Sequence, residues 1–224
     1  MPQLPWDKID TVLLDMDGTL LDLHFDNVFW LDYMPQYYAD KNGISRAAAD
    51  AYIRPLLASY TGQIQWYCVD FWTEKLELPI RQMKQNTAHL INLRANSDQF
   101  LQALQKAGKR CILITNAHRA SLDIKLKKVH LEPFLDVIIS SHDYGYPKED
   151  QRFWECLSQA VDFQPERSLF IDDSLPVLRS AQRYGIGYLR AVLQPDSQGP
   201  EKDCAEFTPS MDLNDLVSDL PSTH

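Results

Sequence analysis

The sequence predicts an α/β fold: a doubly wound, Rossmann-like parallel sheet core with an inserted α-helical cap. Five short apolar runs lack strict alternation, which is typical of strands that are covered on both faces. Helical patterns separate these runs, and strands that alternate with helices indicate parallel pairing. The interval after the first run is long and contains no strand pattern, and it therefore predicts the cap.

The apolar runs place the predicted strands at residues 10–14, 110–115, 137–140, 168–172 and 187–192. Between them, apolar residues recur at helical spacing, at Phe100, Leu101 and Leu104, at Leu122, Leu126 and Val129, at Trp154, Leu157 and Val161, and at Leu178, Ala181 and Tyr184. Gly108 and Gly185 follow the first and last of these stripes and predict C-terminal helix caps.

The predicted cap covers residues 24–96, so that residues 1–23 and 97–224 form the catalytic core. Helix-like patterns lie near 28–40, 45–60 and 65–76, and we expect Pro35 and Pro55 to kink or divide the first two. Half of the chain's aromatic residues fall between positions 24 and 95, which favours a small helical subdomain. The tail at 194–210 is rich in Pro, Ser, Gly and charge and predicts a surface connection, with a short helix at 212–220.

The composition excludes several classes of partner. The net charge of −9 and the pI of about 5.1 argue against general binding to nucleic acids or anionic membranes. No apolar run is long enough to span a bilayer, and the first residues lack the pattern of a signal peptide. We therefore expect a cytoplasmic protein that acts on a small molecule, as a monomer or a weak homodimer.

The four cysteines predict free thiols in a reducing compartment. None of them forms a C-x-x-C pair, and none has zinc-like spacing with histidine.

The residues that follow the predicted strands carry the candidate chemistry, because ligands of open parallel sheets bind beyond the carboxyl ends of the strands. Four segments contribute: D-M-D-G-T at 15–19, T-N-A-H at 115–118, Y-P-K-E-D at 146–150 and D-D-S at 172–174. We expect them to deliver to one edge of the sheet the side chains of Asp15, Asp17, Thr115, Asn116, Lys148, Asp172 and Asp173.

Each of these segments alone has an ordinary structural interpretation. A single D-x-D-G-T is often a turn, a single Asp-Asp pair usually caps a helix, and one lysine in a loop indicates little. All four together, each at a strand end, indicate a site. Four crowded carboxylates would repel one another strongly, so the pattern also predicts a bound cation. Mg²⁺ suits a site made of oxygen ligands.

The order D-x-D-G-T, then Thr, then Lys, then Asp-Asp resembles the four-motif signature of the haloacid dehalogenase-like superfamily. The insertion between the first two motifs resembles the helical cap of its subclass I. Residues 15–27 with Phe29 and Trp30, W-Y-C at 66–68, and residues 115–118, 145–152 and 169–174 resemble the bacterial GMP/IMP 5′-nucleotidases of that superfamily. This resemblance covers nearly the whole chain except residues 78–95 and the C-terminal tail.

The resemblance implies a phosphatase that hydrolyses a purine nucleoside 5′-monophosphate through an aspartyl-phosphate. It makes Asp15 the nucleophile and Asp17 the general acid and base. Thr115 and the backbone of Asn116 would bind a phosphoryl oxygen, and Lys148 would balance charge on the phosphate and on Asp15.

The same resemblance implies a magnesium site. Asp15 and Asp173 would be direct ligands, and Asp17 would contribute its backbone carbonyl. Asp172 would be either a ligand or an acceptor for metal-bound water. Gly18 would permit the sharp turn after Asp17.

The cap aromatics have two interpretations, as a stacking platform for a purine or as the core of the helical subdomain. Trp66 is the aromatic residue that we assign to substrate binding, whereas the helical spacing of Trp30 and Tyr33 favours core packing. His24 and Asp26 follow the first motif and could face the substrate, and we expect His118 to cap the following helix.

Several other functions fit parts of the pattern. A dehalogenase would share the fold, but it would not need the leaving-group proton that Asp17 supplies. A phosphomutase would keep all four motifs, and a phosphatase for phosphoglycolate or a sugar phosphate is the main alternative among enzymes. A binding module without activity is disfavoured by the complete set of catalytic residue types.

Overall fold

A six-stranded parallel sheet forms the centre of the molecule in the computed structural model, which describes residues 3–218 and 220. Its strands, in chain order, are β1 (Thr11–Leu14), β2 (Arg110–Thr115), β3 (Val137–Ser140), β4 (Ser168–Asp172), β5 (Tyr188–Val192) and β6 (Pro209–Ser210). Across the sheet the order is β3-β2-β1-β4-β5-β6. The prediction of a doubly wound α/β fold is confirmed.

The helices, in chain order, are α1 (His24–Val28), α2 (Met34–Asn42), α3 (Arg46–Ala58), α4 (Val69–Leu76), α5 (Ile80–Asn86), α6 (Ser97–Lys106), α7 (Arg119–Val129), α8 (Gln151–Ala160), α9 (Leu175–Tyr184) and α10 (Asn214–Val217). Helices α6 to α9 lie close to the predicted apolar stripes. None of the helices in the described part of the chain is long and apolar enough to cross a membrane.

Helices cover both faces of the sheet, which explains why its strands read as continuous apolar runs. Val12 and Leu14 belong to one hydrophobic cluster together with residues of α6 and α7. Leu13 belongs to a second cluster together with residues of α8 and α9. Successive residues of a strand point to opposite faces, so every residue of β1 is buried.

The strand register brings three strand ends together. β1 lies between β2 and β4, with Leu14 opposite Leu113 on one side and Ile171 on the other. The first residue after β1 is Asp15, β2 ends at Thr115, and β4 ends at Asp172. The sheet therefore positions the predicted site residues at its carboxyl edge.

The C-terminal tail contains a strand that the sequence interpretation missed. Residues 194–210 were expected to form only a surface connection, but β6 pairs in parallel with β5, Ala191 opposite Pro209 and Val192 opposite Ser210. A proline is compatible with this strand because it lies at the sheet edge. The helix predicted at 212–220 is shorter, as α10, and position 219 lies outside the described residues.

The segment between β1 and β2 is helical, with helices α1 to α5. A π-helical turn, Phe29–Tyr33, joins α1 directly to α2, so Pro35 lies in the first turn of α2 and does not divide the chain. Pro55 lies inside α3, which continues to its end at Ala58. Helix α5 lies within residues 78–95, which have no resemblance to the nucleotidases, and its Ile80 and Met83 are buried.

This helical segment has a hydrophobic cluster of its own, which includes Phe29, Ile53 and the fully buried Trp72. Ala120, in the first turn of α7, also packs in this cluster. The helical segment therefore contacts the rest of the molecule near the carboxyl edge of the sheet, where α7 begins. The division into a core and a cap at positions 24 and 96 stays a prediction.

Candidate active site

Lys148 joins two of the predicted carboxylates at the carboxyl edge of the sheet. Its Nζ lies 2.6 Å from Oδ1 of Asp15 and 2.7 Å from Oδ2 of Asp172, and it also donates to the carbonyl of Ile114 at 3.1 Å. All three charged side chains are buried. Burial alone would lower the pKa of Lys148, but the two carboxylates raise it above its ordinary value. The ammonium is therefore a fixed positive charge in the site.

A third carboxylate completes an acidic group at this edge. One oxygen each of Asp15, Asp172 and Asp173 lies within 4.8 Å of the other two. Burial raises the pKa of Asp15 and of Asp172, Lys148 opposes the shift, and neighbouring carboxylates add to it. Lys148 and Lys202, which contacts Asp173 at 2.7 Å, do not neutralise three carboxylates. A donor set made only of oxygens fits a hard divalent cation. These three residues could therefore hold a metal ion.

The turn after β1 depends on Gly18 for two reasons. Its φ of +84° lies in the left-handed region, which residues with a side chain rarely adopt. A Cβ at this position would also lie 2.9 Å from Cγ of Asp173 and 2.9 Å from Cβ of Pro195. The turn therefore packs directly against one of the carboxylates of the acidic group.

The side chain of Asp17 points to a chain of charges that the sequence interpretation did not foresee. Lys125 of α7 places its Nζ 2.7 Å from Asp17 and 2.6 Å from Asp26. Lys84 of α5 contacts the other oxygen of Asp26 at 3.0 Å. Both lysines are buried, and Nζ of Lys84 lies 4.4 Å from the ring centre of Phe29. Carboxylates and ammonium groups thus alternate from the first motif to the helical segment.

The charges in this chain shift the pKa values of its carboxyl groups in opposite directions. Burial raises the pKa of Asp17 to about 7, with Lys125 opposing the shift and Asp26 and Asp15 adding to it. Burial would also raise the pKa of Asp26, but Lys125 and Lys84 outweigh it and lower that pKa to about 2. Of Asp17 and Asp26, Asp17 is thus the carboxyl group that can carry a proton near neutral pH, as a general acid must.

Thr115, the last residue of β2, and Asn116 form one wall of the site. Oγ1 of Thr115 accepts from the backbone N–H of Ala117 at 3.0 Å. Oδ1 of Asn116 accepts from the backbone N–H of Lys148 at 2.9 Å, and its Nδ2 donates to Glu149 at 3.0 Å. The Asn116 side chain therefore positions the loop that carries Lys148.

Glu149 also connects this wall to the helical segment. The hydroxyl of Tyr67 donates to Oε1 of Glu149 at 2.7 Å, while Oε2 accepts from Asn116. Burial and the neighbouring Glu149 raise the pKa of Tyr67, so its hydroxyl stays protonated and remains a donor. Neither Tyr67 nor Glu149 was assigned this role from the sequence.

A cavity of about 310 Å³ unites these groups, at the lower end of the range for small-molecule sites. The sequence-predicted site residues all line it: Asp15, Asp17, Trp66, Thr115, Asn116, Lys148, Asp172 and Asp173. The cavity is also lined by Asp26, Lys84 and Lys125. Of these three, only Asp26 was expected from the sequence to face it.

The cap aromatics divide between the cavity and the hydrophobic cluster. Trp30 was expected to pack in the core, and it does contact Phe29 edge to face, yet it also lines the cavity. Trp72 belongs to the buried cluster and donates its Nε1–H to the carbonyl of Trp66 at 2.9 Å. His24 lies 3.4 Å from Asp196, and His118 caps α7 as predicted, since its Nδ1 accepts from Ala120.

The fold and the site together define a hydrolase of the doubly wound α/β class, with its acidic group at the carboxyl edge of the sheet. A family model for the haloacid dehalogenase-like hydrolases matches residues 9–185. The chain belongs to this family. The predictions of the superfamily and of an enzyme that hydrolyses phosphoric monoesters are confirmed.

Curated relatives and a solved structure agree with this assignment. The GMP/IMP nucleotidase YrfG of Escherichia coli K12 is 42% identical over 219 residues, which are 98% of this chain and 97% of that protein. The pyrophosphatase PpaX of Bacillus cereus is 26% identical over 169 residues, 75% of this chain and 76% of that protein. A haloacid dehalogenase-like phosphatase from Thermococcus onnurineus has the same fold, with a TM-score of 0.79 at 19% identity, over 96% of this chain and 99% of that one.

Proposed function

We propose that the chain hydrolyses purine nucleoside 5′-monophosphates, GMP and IMP above all, to the nucleoside and phosphate. The observation that carries this proposal is the Lys148 ammonium, held 2.6 Å from Asp15 and 2.7 Å from Asp172 in a cavity with aromatic walls. The 42% identity to a GMP/IMP nucleotidase over almost the full length of both chains supports the choice of substrate.

In the first half-reaction, a carboxylate oxygen of Asp15 attacks phosphorus and forms an aspartyl-phosphate. The bond from phosphorus to the 5′-oxygen breaks, and its electron pair stays on that oxygen. Asp17 gives its proton to the leaving oxygen, so the nucleoside departs as a neutral alcohol. The raised pKa of Asp17, about 7, supports this role because the residue has to start protonated.

In the second half-reaction, a water molecule attacks the phosphorus of the aspartyl-phosphate, and Asp17, now a carboxylate, takes a proton from it. The bond from phosphorus to Asp15 breaks, and the carboxylate of Asp15 is regenerated. Asp17 thus returns to its protonated form, and the cycle consumes only water and the phosphate ester.

The phosphoryl group would be held from several sides in this scheme. The Thr115 hydroxyl and the backbone N–H of Asn116 bind its oxygens. The three N–H groups of the Lys148 ammonium already donate to Asp15, Asp172 and Ile114, so Lys148 stabilises the phosphoryl charge through its own positive charge. Because the Asn116 side chain is already bonded to Lys148 and Glu149, only the backbone of Asn116 remains for the substrate.

The acidic group fits Mg²⁺, which Asp15, Asp172 and Asp173 would hold through side-chain oxygens. The backbone carbonyl of Asp17 would supply a further oxygen. When bound, it would offset the negative charge of the carboxylates and of the phosphate. Lys148 would keep its contact with Asp15 and orient the attacking oxygen.

The walls above the phosphate position favour a flat substrate. Trp30 and Trp66 line the cavity on the side of the helical segment. Stacking of a base on an aromatic side chain contributes about 1–3 kcal/mol to binding. A purine has a larger face than a pyrimidine, so this lining supports a preference for GMP and IMP.

Phosphate release from a panel of nucleoside monophosphates, phosphoglycolate and sugar phosphates, with and without Mg²⁺, tests the proposal. We expect the highest kcat/KM on GMP or IMP, low values on pyrimidine nucleotides, and loss of turnover with a chelator. Asp15→Asn should abolish turnover, whereas Asp98→Asn, exposed on α6, should not. Equal rates on unrelated esters would exclude the nucleotide preference, and isomer formation without phosphate release would indicate a mutase.

A further inference from the structure

A cysteine and two histidines from distant parts of the chain meet beside the active-site cavity. Cys68 precedes α4, His118 precedes α7, and His142 lies in the helical turn Ser141–Asp143 that follows β3. One ligand atom of each residue lies within 4.8 Å of the other two. Sequence spacing gave no sign of this group, because the three residues are far apart along the chain.

We propose that Cys68, His118 and His142 bind one transition-metal ion of the zinc class. A thiolate and two imidazoles are ligands that Zn²⁺ prefers, whereas Mg²⁺ prefers oxygen. This site therefore differs in chemistry from the acidic group of Asp15. Zinc bonds of about 2.0–2.3 Å place tetrahedral ligands roughly 3.3–3.6 Å apart, so small side-chain rotations would close the group around an ion.

His142 provides an independent observation that points to a ligand. Its Nε2 is buried and has no hydrogen-bond partner among the described residues. The backbone of Asn116 lies beside the same ring and favours its protonated form. A buried imidazole nitrogen without a hydrogen-bond partner is free to coordinate a metal ion, and a neutral imidazole is the commonest metal ligand in proteins.

The charge state of His142 suits the same role. Burial lowers its pKa to about 4, and the neighbouring His118 adds to the shift. The imidazole is thus neutral near pH 7. The two rings lie edge to face, with centroids 4.8 Å apart.

His118 can join the site at small cost. Its Nδ1 accepts a long hydrogen bond of 3.3 Å from the backbone N–H of Ala120, and its Nε2 lies 3.6 Å from Oδ2 of Asp70. Coordination through Nδ1 would replace only the bond from Ala120 and leave Nε2–H facing the Asp70 carboxylate. A carboxylate behind a metal-binding histidine is a common supporting contact.

Cys68 is available for coordination as well. It is a free, half-buried thiol whose Sγ accepts from the backbone N–H of Phe71 at 3.4 Å. With these three protein ligands, a fourth position of the ion stays open to water.

The location of the site suggests what occupancy would do. Trp66 and Tyr67, which line the cavity, directly precede Cys68, and Asn116 lies two residues before His118. An ion bound to all three ligands would tie the wall that carries Trp66 to the loop that carries Asn116. We expect an ion that holds these two walls together to restrict their movement and to slow turnover. This consequence, unlike the binding itself, rests on the proposed function.

Cobalt(II) titration of the full chain, with Mg²⁺ in excess, tests the binding without any substrate. A cobalt–thiolate bond gives a ligand-to-metal charge-transfer band, which the acidic group of carboxylates cannot produce. We expect this band at one equivalent of cobalt. Its absence, or its persistence in Cys68→Ser, would overturn the proposal.

Zinc affinity, measured by calorimetry under the same conditions, provides the second readout. Cys68→Ser and His142→Gln should each weaken it by at least about tenfold, the lower end of what loss of even a supporting contact costs. Cys156→Ser and His89→Gln remove a half-buried thiol and an exposed imidazole outside the group and should leave it unchanged. Unchanged far-ultraviolet circular dichroism would show that the variants fold.

Turnover with saturating Mg²⁺ tests the consequence separately. Zinc should slow the wild type, and Cys68→Ser should relieve the inhibition. Inhibition that persists in Cys68→Ser would assign it to the acidic group and exclude the coupling to the cavity walls. If no nucleotide is hydrolysed at all, the proposed function fails, while the cobalt band still decides the metal site.

Discussion

Lys125 holds its ammonium nitrogen 2.7 Å from Oδ1 of Asp17, so helix α7 positions the second carboxylate of the D-M-D-G-T motif. The same nitrogen lies 2.6 Å from Asp26, and its side chain is only 2% exposed. Burial alone would lower the pKa of Lys125, but Asp17 and Asp26 raise it, so the group stays charged. Asp17 therefore has a fixed neighbour of opposite charge at the edge of the cavity.

Lys125→Met should destabilise the protein. Removing one partner from a buried ion pair costs about 3–5 kcal/mol, and we expect the lower end because Asp26 keeps its contact with Lys84. Urea unfolding at neutral pH measures this loss. Lys128→Met, exposed on the same helix, should change the unfolding free energy by no more than about 0.5 kcal/mol. Equal losses in the two variants would contradict the prediction.

Asp26 should make stability depend on pH in the acid range. Its pKa is lowered to about 2 in the folded protein, from an ordinary value of 3.8, because Lys125 and Lys84 outweigh its burial. The folded state thus holds this proton less tightly than the unfolded state does. The stabilisation is therefore complete above about pH 4 and is lost as the pH falls towards 2.

Asp26→Asn removes this titration. The difference in unfolding free energy between wild type and variant should include a pH-dependent part of about 2 kcal/mol that disappears between about pH 4 and pH 2. Urea unfolding at several pH values measures it. A difference that stays constant across this range would show that Asp26 keeps an ordinary proton affinity.

The strands and the acidic group were predictable because both follow from local patterns. Continuous apolar runs identify buried parallel strands, and the residues after those runs must meet at one edge of the sheet. This rule alone located Asp15, Thr115 and Asp172. The rule did not identify strand β6, because its two residues, one of them a proline, are too few to show a periodicity.

The charged side chains behind Asp17 could not be recognised in the same way. In the sequence, Lys125 is one polar position of an amphipathic helix and resembles Lys127 and Lys128, which are exposed. What distinguishes it is its burial beside Asp17 and Asp26, which come from distant segments. Lys84 depends on tertiary contacts as well, because it meets Asp26 from a position 58 residues further along the chain.

Gly18→Ala should impair metal binding as well as stability. The new Cβ would approach Cγ of Asp173 and Cβ of Pro195 to 2.9 Å, in addition to the strain of a left-handed φ of +84°. Gly62→Ala is a matched control, because its φ is +77° and nothing lies within 4 Å of its Cβ position.

Gly62→Ala should lower the free energy of unfolding by about 1–2 kcal/mol through backbone strain alone, and Gly18→Ala should lower it more. The Mg²⁺ concentration for half-maximal activity should rise only in Gly18→Ala, because only that variant displaces Asp173. Thermal unfolding and a Mg²⁺ titration of activity measure the two effects. An unchanged Mg²⁺ requirement would mean that Asp173 is not held by this packing.

Lys202→Met should increase the affinity for Mg²⁺. Nζ of Lys202 lies 2.7 Å from Oδ2 of Asp173, and its side chain is 46% exposed. An exposed ion pair adds at most about 1 kcal/mol, so stability should change little. Removal of the Lys202 ammonium would free an oxygen of Asp173 and take away a cation that competes with Mg²⁺. The Mg²⁺ concentration for half-maximal activity should therefore fall a few-fold. Lys127→Met, also exposed, should have no effect. A higher Mg²⁺ requirement in Lys202→Met would contradict the competition.

Tyr67→Phe should weaken substrate binding more than it slows the chemical step. The Tyr67 hydroxyl donates to Oε1 of Glu149 at 2.7 Å, and Glu149 in turn accepts from Asn116 at 3.0 Å. Asn116 holds the backbone N–H of Lys148, so the helical segment supports, through Glu149, the wall that we propose to bind phosphate. Loss of one such hydrogen bond, to a charged acceptor, costs about 1.5–3 kcal/mol.

Steady-state kinetics on GMP, with urea unfolding in parallel, would measure both consequences of Tyr67→Phe. We expect a several-fold higher KM with kcat changed less, because the hydroxyl contacts Glu149 and not the carboxylates of Asp15 or Asp17. Tyr37→Phe removes a hydroxyl from a side chain that is 37% exposed in the helical segment and should leave KM unchanged. If Tyr67→Phe lowered kcat alone, the hydroxyl would act on the reacting groups, and its role as a support for Asn116 through Glu149 would be wrong.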